Sequence, residues 1–329
     1  MADNPELHVR IMPWQLNNLK FKTNRSGGLK MEKVNNILII PDIHHRTCWK
    51  DCIKKIYEVD KDVFLGDYLY PYSFEGNNVM DMDKGFENLK EIVKLKIDEP
   101  EKVILLLGNH DFHYINGGIN SGRYDKTNGV RNKEFFLDNL DKFDMAYECE
   151  IDGKRYFFSH AGIKNEWLNA YYRGIGLSEK PKNILPSADV FNNIIHNVKV
   201  ENDGRCVKWM DNYHSKKIVV GNDEESDNRY YSFMNTLDVV SYYRGGMDSY
   251  GSMIWADVRE YITPKNDAKQ EFSDTYQIFS HTYMRSPIIT PVWACLDVQE
   301  GFILDNEGIK DMNELSLDFS TDKVIKVFE

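Results

Sequence analysis

With 329 residues, 42% of them hydrophobic and 28% charged, the chain has material for a large buried core and the composition of a globular protein, which excludes a disordered or low-complexity polymer. Its formal net charge of -11 repels polyanions, so stable nucleic-acid binding is not expected without a basic patch, and none stands out. Phosphate chemistry stays open, because bound divalent cations invert the local field.

No apolar run approaches the roughly 20 residues of a membrane helix. The five cysteines, Cys48, Cys52, Cys149, Cys206 and Cys295, lack the paired spacing of a zinc ribbon or a disulfide framework and read as reduced thiols of a cytoplasmic protein. Residues 1–35 show no period and no signal-peptide core, so they read as an N-terminal extension or leader, with Met31 a natural start. A single domain over 36–329, with a variable insertion at about 164–250, is expected to follow.

Asn36-Ile37-Leu38-Ile39-Ile40 is a continuous apolar run suited to a strand buried on both faces. It ends at Pro41-Asp42-Ile43-His44-His45, where alternate residues of an extended chain share a side, so Asp42 and His44 can grip one ion. Cys48, Trp49, Cys52, Ile53, Ile56 and Tyr57 recur at helical spacing, and Val63-Phe64-Leu65 then reads as a strand ending at Gly66-Asp67. Met82, Phe86, Leu89 and Val93 mark a second amphipathic helix. It leads to a strand over Val103 to Leu107 that breaks at Gly108 into Asn109-His110-Asp111. Strand, helix, strand order predicts parallel pairing with right-handed crossovers, which brings these strand ends to one sheet edge, where α/β folds build sites.

Beyond a glycine-rich loop (Asn116-Gly117-Gly118 to Ser121-Gly122), Phe135, Phe136, Asn139, Leu140 and Phe143 predict a helix. Lys154 to Ser159 then predicts a strand delivering His160-Ala161-Gly162. Helices are expected around Glu166 to Tyr172 and Ala188 to Val198, and the acidic stretch Asn222 to Asp227 reads as a solvated loop. Regular structure resumes at Gly251 to Asp257. Tyr276 to Ser280 is a strand ending at His281-Thr282-Tyr283, and Val292 to Leu296 with Gly301 to Leu304 predict a closing hairpin.

Taken singly, an Asp or Asn after a strand is an ordinary turn former and a lone His an ordinary core residue. Five successive strand ends presenting Asp42 and His44, Asp67, Asn109, His160 and His281 form a pattern that chance turn chemistry does not explain. Carboxylate and amide oxygens with imidazoles, and no thiolate, suit manganese, iron, zinc or magnesium better than a soft metal.

The run Asp-x-His, Gly-Asp, Gly-Asn-His-Asp, His-Ala-Gly and a late Ser-His-Thr resembles, in this order, the calcineurin-like metallophosphoesterase superfamily over residues 36 to 305. The resemblance implies a four-layer α-β-β-α sandwich, two mixed sheets flanked by helices. It implies two divalent metal ions, manganese first, with iron, zinc, magnesium or nickel as alternatives. Asp42 and His44 would hold one ion and Asn109, His160 and His281 the other, with Asp67 bridging. Ions about 4 Å apart clamp a phosphate and sharpen a bridging water into hydroxide for in-line attack, with no phosphoenzyme. His110 would protonate the leaving alkoxide.

With Ser280-His281-Thr282-Tyr283 in place of Gly-His-x-His, the ending looks more like the serine/threonine phosphoprotein phosphatases and symmetrical dinucleoside tetraphosphatases than the phosphodiesterases. Ile254-Trp255-Ala256-Asp257 and Leu296-Asp297 resemble further segments of that branch. Departures accompany these likenesses. Where that branch reads Gly-Asp-x-x-Asp-Arg-Gly the chain has Gly66-Asp67-Tyr68-Leu69-Tyr70-Pro71, so the acid expected to pair with His110 is missing, and Asp111 or Tyr70 takes that place. Leu107 stands where phosphoprotein phosphatases carry an arginine, leaving Arg46 and Arg259, then Arg123, Arg244 and Arg285, as candidates for phosphate contact.

The expected substrate is a phosphorylated protein or a small nucleotide. Residues 112 to 130 and 164 to 250, with Tyr242, Tyr243 and Tyr250, would wall the pocket. A binding or scaffold protein that keeps the fold without turnover is the alternative from a different class, and a phosphodiesterase acting on nucleic acid or cyclic nucleotide is the third.

Overall fold

Continuous apolar strands demand cover on both faces, and the chain supplies it with a second sheet on one side and helices on the other. The computed structural model describes residues 31–55, 59–71, 81–116, 124–175, 184–202, 216–219, 224–298 and 300–312. The extension through residue 30, the loop at 117–122, Arg123, Cys206 and residues 222–223 of the acidic stretch lie outside the described residues. The described residues from Lys33 onward form one compact unit.

In chain order the elements are β1 (Ile37–Ile40), α1 (Cys48–Lys55), β2 (Lys61–Phe64), α2 (Met82–Asp98), β3 (Val103–Leu106), α3 (Asn109–Asn116), α4 (Gly129–Asp138) and β4 (Phe143–Asp144). There follow β5 (Ala146–Ile151), β6 (Lys154–Ser159), α5 (Asn165–Gly174), α6 (Asp189–His196), β7 (Lys199–Asn202), β8 (Lys216–Val219) and α7 (Glu224–Leu237). The last strands are β9 (Tyr276–Phe279), β10 (Ile288–Ile289), β11 (Trp293–Cys295), β12 (Phe302–Asp305) and β13 (Gly308–Asp311).

One sheet has the order β13-β12-β1-β2-β3-β4 and the other β10-β11-β9-β6-β5, with β7 and β8 paired apart. The neighbours β1 to β4 run parallel, as do β6, β9 and β11, while the outer pairings are antiparallel. Period-2 alternation sorts β1 between two cores. Ile37 and Ile39 join Val63, Ile104, Phe158, Ile278 and Leu304 between the sheets, while Leu38 and Ile40 face Trp49, Leu89, Ile92 and Phe136 of the helices. Each such side chain contributes ~1.5–3 kcal/mol on burial. Phe157, one residue from Phe158, turns to the opposite face of β6 and meets Phe191 of α6 edge-on, at a centroid distance of 6.5 Å. Two mixed sheets flanked by helices are thus the expected fold.

Helix α2 shows why the connections are local: Asp81 caps it by accepting from the Lys84 amide at 3.1 Å, and Pro100 ends it. Four sequence expectations change, the first being that Gly251 to Asp257, expected as regular structure, is a turn. Val292 to Leu296 and Gly301 to Leu304 are not partners: β11 pairs with β9 and β10, whereas β12 pairs with β1 and β13, so the hairpins lie one strand earlier and one later. Phe143, expected in a helix, extends into β4, because its side chain completes the core beside Tyr68 (5.6 Å) rather than a helical face. Helix α7 begins at Glu224, inside the expected acidic loop.

Candidate metal and catalytic centre

Parallel strands of both sheets end on the same cluster. Asp42 and His44 follow β1, Asp67 follows β2, Asn109 opens α3 after β3, and His160 and His281 follow β6 and β9. All six are buried. Asp67 Oδ2 lies 3.5 Å from His44 Nε2, 3.9 Å from His110 Nε2 and 3.5 Å from His160 Nε2. His160 Nε2 is in turn 3.0 Å from Asn109 Oδ1 and 3.1 Å from His281 Nδ1, and Asp42 Oδ2 is 3.7 Å from His44 Nε2. Two triplets, His44-Asp67-His110 and Asp67-His160-His281, each bring ligand atoms within 4.8 Å of one another, with Asp67 common to both.

The far nitrogens of the rings are fixed by backbone. His44 Nδ1 faces the Tyr70 carbonyl at 2.8 Å and His160 Nδ1 the Leu65 carbonyl at 2.8 Å, which leaves Nε2 of each ring directed at Asp67. Backbone anchoring of this kind selects the tautomer that a metal ligand needs. The expected extended geometry at Asp42 to His44 is replaced by a turn: φ is 40° at His44, 53° at Asp67 and 68° at His281, with His45 and Tyr70 also positive. A non-glycine residue there costs ~1–3 kcal/mol, and such strain gathers at functional sites.

Two glycines let the strand-end loops touch. A Cβ on Gly66 would sit 2.6 Å from the Gly108 nitrogen, and one on Gly108 would sit 2.1 Å from Asp67 Oδ1. Asp67 Oδ1 also accepts from the His110 amide at 2.9 Å.

Charges balance within the cluster. Burial works to raise the Asp67 carboxyl, but His160, His110 and His44 together outweigh it and hold the group well below the usual carboxylate range. Burial would lower His160, yet Asp67 and Asp42 push it up to about 10. Burial, with Arg244 and His160 adding to it, keeps His281 well below its usual value.

Asp111 takes a different place from the one expected. Its oxygens accept from the backbone amides of Asp67 (2.8 Å), Tyr68 (2.9 Å) and Gly108 (2.9 Å), so it ties the loop after β2 to the loop after β3. Burial, then the charge of Asp67, push it up to about 8. The ring of Tyr70 stacks on His110 at 5.4 Å and 24°, with His113 at 5.8 Å and His44 at 5.2 Å, both edge-on.

The arginines also move. Arg46 donates Nη1 to the Asp42 carbonyl at 2.7 Å, bracing the loop. Arg259 is spent on Asp257, with Nε to Oδ1 at 2.7 Å and Nη2 to Oδ2 at 3.1 Å, and on the Tyr243 carbonyl at 2.8 Å. Arg244 instead reaches the cluster, donating Nε to His281 Nε2 at 3.1 Å. Ser280 was passed over in the sequence although its hydroxyl donates to Asp42 Oδ1; its only signal was the place directly before His281. Asp297, after β11, is buried with Oδ1 unpartnered, and burial together with Asp42 raises it far above its usual value.

A two-sheet α/β fold whose parallel strands deliver carboxylates, imidazoles and an amide to one buried point defines a metal-capable centre of the hydrolase kind. The family model described as calcineurin-like phosphoesterase matches residues 36–282, and the chain belongs to that family. No curated protein matches the chain. Among solved structures, a protein serine/threonine phosphatase from Saccharomyces cerevisiae with similarity to human phosphatase PP5 aligns at 13% identity and TM-score 0.41, over 84% of this chain and 76% of that one. The NAD nucleotidase NadN of Haemophilus influenzae aligns at 11% identity and TM-score 0.30, over 84% of this chain and 48% of its own. Among the described residues no helix is long and apolar enough to cross a membrane.

Proposed function

We propose that the protein is a dinuclear metal-dependent phosphohydrolase acting on phosphomonoesters or nucleotide phosphoanhydrides. The observation that carries the reading is the shared oxygen: Asp67 Oδ2 lies 3.5 Å from both His44 Nε2 and His160 Nε2, on the side to which the backbone turns each ring. The donor set fits hard or borderline divalent cations. Asp42, His44 and Asp67 would hold one ion, and Asp67, Asn109, His160 and His281 the other. When bound, such ions supply Lewis acidity that brings a water's pKa toward neutrality and offsets phosphate charge.

The chain's own residues do the rest. Water attacks phosphorus in line, the bond from phosphorus to the leaving oxygen breaks, and the His110 ring donates a proton to that oxygen. Tyr70 holds the ring by stacking, and Asp111 fixes the loops that carry Asp67 and His110. Phosphorylated protein or small nucleotide remains the proposed substrate class.

Turnover of p-nitrophenyl phosphate with added manganese tests the reading. Activity that depends on the metal is expected. A folded protein inactive with every divalent cation would make it a binding protein on this fold, and faster turnover of bis-p-nitrophenyl phosphate would make it a phosphodiesterase.

A further inference from the structure

A phosphate dianion approaching this cluster meets the buried, charged carboxylates of Asp42 and Asp67, so a fixed cation beside them would help to orient it. Among the arginines considered, Arg46 and Arg259 are committed to backbone and to Asp257, and Arg285 is exposed. Arg244 differs. It is half-buried, its Nε donates to His281 Nε2 at 3.1 Å, and Nη2 donates to the His281 carbonyl. Its Nη1 makes no bond within the described residues, which leaves an edge of the guanidinium for a ligand.

The side chain is aimed rather than loose. Arg244 Nε lies 3.4 Å from Asp257 Oδ2, and Asp257, fully buried, is also gripped through both oxygens by Arg259. Burial works to raise the Asp257 carboxyl, but Arg259 and Arg244 together keep it low, so it stays charged. The turn carrying Arg244 is equally fixed. Gly245 closes it at φ 85°, the Arg244 and Gly246 amides donate to the Ser241 carbonyl at 2.8 and 3.0 Å, and the Tyr242 amide donates to the Asp248 carbonyl at 2.8 Å. A Cβ on Gly246 would sit 2.0 Å from the Val240 carbonyl oxygen, so the turn's path admits glycine alone at that point.

We propose that Arg244 contacts the substrate's phosphate, its fork presented beside His281 by a clamp of Asp257 and Arg259. This role rests on the phosphohydrolase reading for its substrate, but it is a claim about phosphate binding and is testable without turnover. Asp257 and Arg259 are positioning residues that act through Arg244.

The experiment measures orthophosphate binding to the manganese-loaded full chain by calorimetry, with manganese content by mass spectrometry, for the wild type, Arg244→Ala and Arg244→Lys. Arg244→Ala is expected to weaken phosphate binding about 10- to 100-fold at unchanged manganese content, the loss of one charge-assisted bidentate contact. Arg244→Lys should recover part of it, because the charge stays while the fork is lost. Phosphate affinity within about twofold of wild type in Arg244→Ala overturns the proposal. So does loss of manganese together with phosphate, which would make Arg244 a support for His281 alone. A wild type that binds phosphate through Arg244 yet hydrolyses no ester defeats the hydrolase reading and leaves this one standing. A wild type that binds no phosphate overturns it outright.

Discussion

Asp67 concentrates the chemistry of single residues. One of its oxygens faces three imidazoles within 3.9 Å and the other is held by the His110 amide, so its charge can be neither removed nor moved cheaply. Asp67→Asn keeps the shape, removes the charge, and offers an amide where both ligand groups converge. We expect loss of at least one bound metal equivalent and a fall in kcat of about 100-fold or more. Retention of full metal content and full rate by this variant would show that the ligands lie elsewhere.

His110 makes a different demand, since an acid matters in proportion to how poor the leaving group is. His110→Asn should lower turnover of phenyl phosphate about 100-fold and that of p-nitrophenyl phosphate clearly less, because nitrophenolate departs without a proton. Equal losses on the two esters would make His110 a structural neighbour of Asp67. The residues of the cluster were legible in the sequence because they stand at strand ends. The contacts of Asp111 were not legible, because adjacency in sequence says nothing of where a carboxylate turns: at the start of α3 it points back to the amides of Asp67, Tyr68 and Gly108.

At the scale of elements, function and stability occupy opposite ends of the same strands. The C-terminal ends of β1, β2 and β3 carry the candidate site, and their loops approach so closely that glycine is required. Gly108→Ala would force a methyl against Asp67 Oδ1, and we expect manganese binding weakened at least about tenfold with the fold retained. Unaltered binding would mean the loops have slack.

Near the other end of β2, Asp62 is buried beside Lys102, 3.5 Å away. Burial outweighs that lysine and lifts the carboxyl from its ordinary 3.8 to about 6. The folded protein therefore holds this proton more tightly than the unfolded chain. The associated stability is fully present below about pH 3.8 and is lost as pH rises through about 6. Asp62→Asn should thus stabilise the protein by ~1–2 kcal/mol at pH 7.5, by about half of that at pH 5 and by little below about pH 3.8, read from urea midpoints at each pH. A variant less stable than wild type at pH 7.5 would show that the Lys102 pair prevails over burial.

Nothing in the sequence announced Asp62, since an acid beginning an apolar run reads as an exposed strand end. The helices and parallel strands were legible because their periods are set locally. The fate of the last strands was not, because β11 and β12 are close in sequence but pair in different sheets, a choice made by long-range packing.

For the molecule as a whole, the candidate centre is where the two sheets are joined by polar groups. Asp42, His44, Asp67 and Asn109 follow strands of one sheet, and His160 and His281 follow strands of the other. Between the sheets the apolar contact runs through Ile39, Val63, Phe158 and Ile278. A cation held at Asp67, His160 and His281 is a cross-link between sheets, so it binds the folded sandwich and has no equivalent site in the unfolded chain. Linkage then stabilises the fold by RT ln(1 + [L]/Kd), about 2.7 kcal/mol at a hundredfold excess over Kd. For a chain of this size about 2–4 °C per kcal/mol is usual, so manganese should raise Tm by ~5–10 °C over chelator-treated protein. The shift should shrink in Asp67→Asn and in His281→Ala, which remove ligands from either side of the joint. If chelator, manganese and both variants gave the same Tm to within about a degree, the cluster would not be a metal centre, and its strained, mutually neutralising residues would need another explanation.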